Sequence, residues 1–224
     1  MAKITALREN KGRRRISVFL DGRFAFSLSA DLALSEGLHS GQILAPEQID
    51  SLSKSDQYKR CLAAATNCLS YRPRSASELR TLLQRRGYDT ATQESVISSL
   101  KENGLIDDAA FAEFWTENRV TFSPRSQRLT RIELQKKGVA RDVIERAVSS
   151  VDDQTNAYRA ASDHVRSIRW SDRDQFRRRM GGYLQRRGFA YSTIESTLAR
   201  VWKEVQSEAD SDLLEYRTDL KEGR

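Results

Sequence analysis

The sequence is poor in the residues that usually do chemistry. It holds two histidines, His39 and His164, and two cysteines, Cys61 and Cys68, in 224 residues. The histidines stand in unrelated contexts, and each reads as a surface or structural residue. No Cys/His cluster has zinc spacing. No Walker loop, no GxGxxG after a strand and no nucleophile elbow occurs. These absences argue against the common catalytic classes and predict a protein that is not an enzyme and has no metal or cofactor. The cysteines lie seven apart in an apolar helical stretch, which reads as two small core residues in a reducing compartment. No apolar run approaches the ~18 residues of a membrane span. Residues 1–15 lack the apolar centre of a signal peptide. Together these features predict a cytoplasmic chain.

Apolar residues are also scarce. With glycine counted and tyrosine left out they make up about 40 %, below the usual ~45–50 %. Charged residues reach 31 %, above the usual ~25 %. One large core is therefore not expected. Aromatic and β-branched residues still run along the whole chain, which argues against disorder. An elongated, modular, folded protein fits this balance.

Only three prolines occur, and two of them, Pro73 and Pro124, are 51 apart. They fall in a repeat. Leu83-Gln84-Arg85-Arg86-Gly87, Leu134-Gln135-Lys136-Lys137-Gly138 and Leu184-Gln185-Arg186-Arg187-Gly188 share one register, with glycines 51 and then 50 residues apart. Apolar residues agree ten after each glycine (Ile97, Val148, Leu198) and thirteen after (Leu100, Val151, Val201). Self-similarity at this period marks stacked supersecondary units.

Each unit divides into three helices. The first carries Tyr58, Cys61, Leu62, Ala65, Cys68 and Leu69 at helical spacing. Its counterparts carry Phe111, Phe114 and Trp115, then Tyr158, Ala161, Val165 and Ile168. Pro73 and Pro124 end the first helices of repeats one and two. Asp107-Asp108 before Phe111 reads as an N-cap rather than a metal pair. Ser75 with Glu78 predicts a capping box for the second helix, and Thr90/Gln93 and Ser192/Glu195 predict the same for third helices. The repeated glycine stops the second helix in a left-handed conformation. The third-helix stripes are Val96, Ile97 and Leu100; Ile144, Ala147, Val148 and Val151; and Ile194, Leu198, Val201, Trp202 and Val205. Gly181-Gly182 sits inside the basic second helix of repeat three and reads as a kink or a close-packing point rather than a phosphate cradle. Of the tryptophans, only Trp170, beside Arg169 at a helix end, is left open as a surface for stacking on bases.

The N-terminus has another pattern. Residues 16–20 and 23–28 alternate around Asp21-Gly22, the strongest short hairpin signal. Ile4 to Leu7 can add a third strand. The expected fold is mainly α, with tandem three-helix repeats after a small β-hairpin or three-strand domain. The divisions are a β domain at 1–45, a linker or short helix at 46–56, repeats at 57–105, 106–152 and 153–205, and an acidic tail or frayed helix at 206–224.

The net charge of +7 hides a segregated distribution. Residues 8–15, 72–87, 125–137 and 173–187 together carry +17, and the remainder carries −10. The cations form a candidate stripe: Arg74, Arg80, Arg85, Arg86, Arg125, Arg128, Arg131, Lys136, Lys137, Arg177, Arg178, Arg179, Arg186 and Arg187. Those in the last turn before each glycine also complement the helix dipole. Those earlier in the helices have no such explanation. Repetition at ~50 residues suits a periodic polyanion or an acidic groove on a filament.

The run Tyr71-Arg72-Pro73-Arg74-Ser75, Glu78-Leu79, Leu82-Leu83 and Arg86-Gly87-Tyr88 resembles the RecX family. So do Leu105-Ile106-Asp107-Asp108, Phe111-Ala112, Glu133-Leu134 and Lys137-Gly138-Val139. Arg187-Gly188-Phe189-Ala190-Tyr191 followed by Ile194 is similar to the family's last repeat. The likeness covers roughly residues 57–205 and extends, more weakly, to the hairpin domain of longer members. Repeat three departs from the pattern, with no proline matching Pro73 and Pro124 and with Gly181-Gly182 instead. The resemblance implies a curved array of three-helix repeats that regulates the RecA recombinase. It implies binding in the groove of the RecA–DNA filament and suppression of ATP hydrolysis, strand exchange and co-protease activity. A monomer is expected, with a role in DNA repair, recombination and the SOS response, and single- or double-stranded DNA as a further partner. The alternative from the same stripe is a stand-alone, sequence-independent DNA-binding module.

Overall fold

The computed structural model describes residues 1–10 and 14–222, with 208–222 described as backbone only. Lys11 and Arg13 of the basic segment 8–15 lie outside the described residues. Two compact units divide at residues 106 and 107.

The first unit opens with β1 (Ala2–Asn10), β2 (Arg15–Leu20) and β3 (Arg23–Ser29). Asp21 and Gly22 both have positive φ, +47° and +81°, as a two-residue I′ turn requires. A short helix, α1 (Ala30–Ser35), and a two-residue strand, β4 (Ile43–Leu44), follow. The antiparallel sheet has the order β3-β2-β1-β4. Neither α1 nor β4 carries enough residues to show a period in sequence. One face of the sheet buries Ile4, Val18 and Leu28 against Leu32, Ala33 and Leu44.

Residues 46–56 are neither a linker nor a separate helix. They are the first turns of α2 (Pro46–Leu69), a single 24-residue helix. Pro46 occupies the first helical position, where its missing N–H costs nothing. No glycine or further proline interrupts the span. The helix serves two cores: Leu52 packs under the sheet, and Cys61, Ala65 and Cys68 pack into the first repeat. Asp56 locks the sheet to it. This nearly buried carboxylate accepts from Arg15 Nη2 at 2.9 Å and from the Ser29 N–H at 2.8 Å. Burial raises the Cys61 thiol to about 11, which keeps it a protonated core residue.

The first repeat is completed by α3 (Ala76–Arg85) and α4 (Thr90–Glu102). The second unit contains α5 (Asp108–Phe122), α6 (Gln127–Lys136) and α7 (Arg141–Val148), then α8 (Asp153–Val165), α9 (Arg173–Arg186) and α10 (Tyr191–Glu222). Each trio encloses its own apolar cluster. The chain is therefore mainly α, built of three-helix repeats behind an antiparallel sheet.

The glycine caps repeat faithfully. Gly87, Gly138 and Gly188 have φ of +82°, +72° and +88°. In each, the glycine N–H reaches the carbonyl three residues back, and the next N–H reaches the carbonyl of Leu83, Leu134 or Leu184. This is the Schellman pattern, which satisfies carbonyls left over at a helix end.

Several local expectations are corrected. Asp89, not Thr90, caps α4: its carboxylate accepts from the Thr92 N–H at 2.9 Å, and Gln93 turns back to the Tyr88 carbonyl. Ser192 lies inside the first turn of α10, which begins at Tyr191. Phe114 is exposed, and Ile168 lies beyond the end of α8. The stretch from 206 continues α10 as helix through Glu222. Gly181-Gly182 does not break α9, and a Cβ at Gly181 would sit 3.7 Å from Leu198 and 3.9 Å from Ile194.

Candidate cationic interface

The second helix of each repeat presents the basic residues, and their surroundings sort them. One set is committed to the chain's own carboxylates. Arg80 forks onto Glu94 with contacts of 2.6 and 3.1 Å. Arg131 does the same to Glu145 at 2.8 and 2.9 Å. Both arginines stand seven residues before the repeat glycine and both glutamates seven after it. The two carboxylates are held below the usual range, chiefly by these hydrogen bonds. In repeat three the position seven before the glycine is Gly181, and Arg177, one turn earlier, reaches Glu195 at 2.7 Å instead.

A second set holds backbone or aromatic groups. Arg74 donates to the Cys68 carbonyl at 3.2 Å, near the end of α2. Arg179 donates to the Arg169 carbonyl at 2.7 Å. Arg187 braces repeats two and three, reaching Ser123 Oγ at 3.1 Å and the Pro124 carbonyl at 3.0 Å. Beside it, a Cβ on Gly188 would lie 2.6 Å from Ser126 Oγ and 2.7 Å from Leu129 Cβ.

Repeat two adds a polar hub around Glu133. Its carboxylate takes the Trp115 indole N–H at 2.9 Å, Arg119 at 2.7 Å and Arg125. Burial lowers the guanidinium pKa of Arg119, and of Arg125 with help from neighbouring Arg119 and Arg187. The Trp115 ring is approached by the Arg119 guanidinium at 4.2 Å and by the Lys137 ammonium at 3.9 Å. Trp170, the tryptophan left open for bases, instead packs its edge against Phe176, centroids 5.3 Å apart.

What remains is Arg85, Arg86, Arg128, Lys136, Arg178 and Arg186. All six are exposed, and none of their side chains makes a hydrogen bond or ion pair among the described residues. Arg85, Lys136 and Arg186 occupy one register position, two before the glycine. Position along the helix does not decide which cations are open: Arg128 and Arg178 lie earlier in their helices and make no side-chain hydrogen bond, whereas Lys137 and Arg187 lie at helix ends and are engaged. The signal for the clasped arginines was present in sequence as the Arg and Glu seven residues on either side of Gly87 and Gly138.

Among the described residues no group of three or more His, Cys, Asp or Glu side chains is arranged to hold a metal. No described helix is long and apolar enough to cross a membrane.

Family models describe three parts of the chain. The RecX N-terminal domain matches residues 2–45, the first RecX three-helix domain matches 61–100, and the second matches 107–148. A "Regulatory protein RecX" of Clostridium botulinum strain Alaska E43 is 28 % identical over 88 % of this chain and 95 % of its own length. One from Bacillus pumilus is 26 % identical over 96 % and 82 %. Among solved structures, "Crystal structure of regulatory protein RecX" superposes with a TM-score of 0.60 at 24 % identity, covering 87 % of this chain and 98 % of that one. RecX from Lactobacillus salivarius gives 0.54 at 23 % identity, over 65 % and 97 %. These two likenesses concern the fold. With three family domains matched in order from residue 2 to residue 148, the chain belongs to the RecX family of regulatory proteins.

Proposed function

We propose that this protein binds the RecA–DNA filament and lowers its ATPase, recombinase and co-protease activities. It acts by binding, as a cytoplasmic monomer without a cofactor. Family membership supports the partner. The observation that carries the contact is the exposed, unpaired cation two residues before each repeat glycine, at Arg85, Lys136 and Arg186. A cation already forked onto a carboxylate has little field left to offer. An unpaired one can take a phosphate or a partner carboxylate. Arg86, Arg128 and Arg178 extend the set. Arg74, Arg80, Arg125, Arg131, Lys137, Arg177, Arg179 and Arg187 then position the helices and join the contact only where a partner displaces an internal bond. The test is titration of purified protein into a RecA DNA-dependent ATPase assay. Inhibition at substoichiometric amounts is expected, and an unchanged rate across the titration would overturn the proposal.

The same exposed cations favour a second reading, direct binding of single- or double-stranded DNA. That reading predicts strong affinity for naked DNA, falling steeply with salt because each neutralised phosphate releases counterions.

A further inference from the structure

Repeat three has a groove between α9 and α10, with a cavity of about 510 Å³. Its floor is Phe189, Ile194 and Leu198, and Gly181 and Gly182 form one wall. Register explains the opening. At the place of Gly181, repeats one and two carry Arg80 and Arg131, each reaching across to the third helix. In repeat three that side chain is missing, and Arg177 reaches Glu195 from one turn earlier.

Local packing does not demand the glycines. Neither has a positive φ, and a Cβ at Gly181 would make only ordinary contacts. Glycine inside a helix costs stability relative to alanine, so two in succession call for a reason. Glycine lets another backbone approach closely.

The rim supplies the charge. Glu195 is already paired with Arg177. Arg178 makes no side-chain hydrogen bond or ion pair among the described residues, although its charge acts on Asp172, and Arg186, which also makes none, has its guanidinium 3.5 Å from where a Cβ on Gly182 would lie. Tyr191, 72 % exposed, stands at the opening. An apolar floor beneath a positive rim calls for an apolar group flanked by negative ones.

We propose that this groove binds an extended segment of a protein partner that carries a branched apolar side chain between carboxylates. The apolar side chain sits on Phe189, Ile194 and Leu198. The segment's backbone passes the two glycines, and its carboxylates meet Arg178 and Arg186. A nucleobase suits the floor less well, because bases use aromatic planes for stacking and two of the three floor residues are branched aliphatics. The inference goes beyond the filament reading and stands without it, since a peptide alone tests it.

The probe is a fluorescein-labelled peptide with one leucine between two Asp-Glu pairs, measured by anisotropy against the full-length protein. A serine-for-leucine peptide and an oligo-dT of equal charge serve as comparisons. Gly181→Arg restores the residue found in repeats one and two and should close the groove. Gly182→Leu blocks it from the same wall without approaching Glu195, should the first variant fold poorly. The leucine peptide should bind, and either variant should weaken it by about tenfold or more. The serine peptide should lose a similar factor. Absence of binding, or equal affinity in a folded blocked variant, would overturn the proposal. So would a loss confined to oligo-dT binding, which would assign the groove to nucleic acid.

Discussion

Repeats two and three share a register, a glycine cap and three helices around an apolar cluster, yet they spend their charges differently. Repeat two closes on itself. Arg131 clasps Glu145, and Arg119, Arg125 and Trp115 converge on Glu133. Its buried apolar cluster is the smaller, with Phe111 as its one buried aromatic, while repeat three buries Phe176, Met180, Phe189 and four further residues of α9 and α10, Leu184, Ile194, Leu198 and Val201. Repeat three, with the larger core, has Gly181 where the clasp would be and a groove beside it. A thin core needs polar bracing, whereas a thicker one can leave a helix face open.

Five substitutions test this contrast. The largest effect is expected at the hub. Glu133→Ala leaves two half-buried guanidiniums and an indole N–H without their acceptor, and should cost about 3 kcal/mol in urea unfolding. A loss below about 1 kcal/mol would mean that water replaces the carboxylate. Next is the junction between the repeats. Gly188→Ala forces a Cβ into a left-handed residue and against Ser126 and Leu129, so about 2–3 kcal/mol is expected. The matched Gly87→Ala, with nothing within 4 Å of its Cβ, should lose about 1 kcal/mol from backbone strain alone. Equal losses at the two sites would show that the close approach at Gly188 carries no energy.

The clasp itself should matter less. Arg131→Ala removes a pair whose side chains are 28 % and 46 % exposed, and about 0.5 kcal/mol is expected. The smallest effect is a pH dependence. His164 stacks on Tyr183 at 3.8 Å, and burial, then Arg187 and Arg186, hold its pKa below 6.5. The unfolded chain therefore takes up this proton first. Stability should decline as pH falls below about 6.5, and His164→Gln should flatten that slope between about pH 7.5 and pH 5.5. An identical slope in the variant would assign the decline to other groups.

Much of this architecture was legible in the sequence. The glycine register located the three helix caps, and Asp21-Gly22 located the hairpin. The apolar stripes after each glycine named most buried residues of α4, α7 and α10. What escaped lay in relations between elements. Counting charge along one helix cannot see a partner on the next, so Arg80 and Arg131 looked free when each faced a glutamate fourteen residues on. The division placed at residue 56 falls inside α2, although residues 47–69 contain no breaker; it lies where the helix passes from the sheet's core to that of the repeat. At the cap of α4, Asp89 outcompetes Thr90 because its carboxylate reaches both the Thr92 N–H and the Thr92 hydroxyl.

On the proposed function, regulation should run through the cations the chain leaves unpaired and not through those it clasps. One comparison tests it most directly: RecA DNA-dependent ATPase titrated with two multiple variants. In the first, Arg85, Arg86, Arg128, Lys136, Arg178 and Arg186 become glutamine. In the second, Arg80, Arg131 and Arg177 do. The first should lose inhibition by about tenfold or more at a modest cost in stability from the lost dipole charges, and the second should lose a little stability and keep inhibition. Full inhibition by the first variant, with loss in the second, would assign the contact to the clasped arginines.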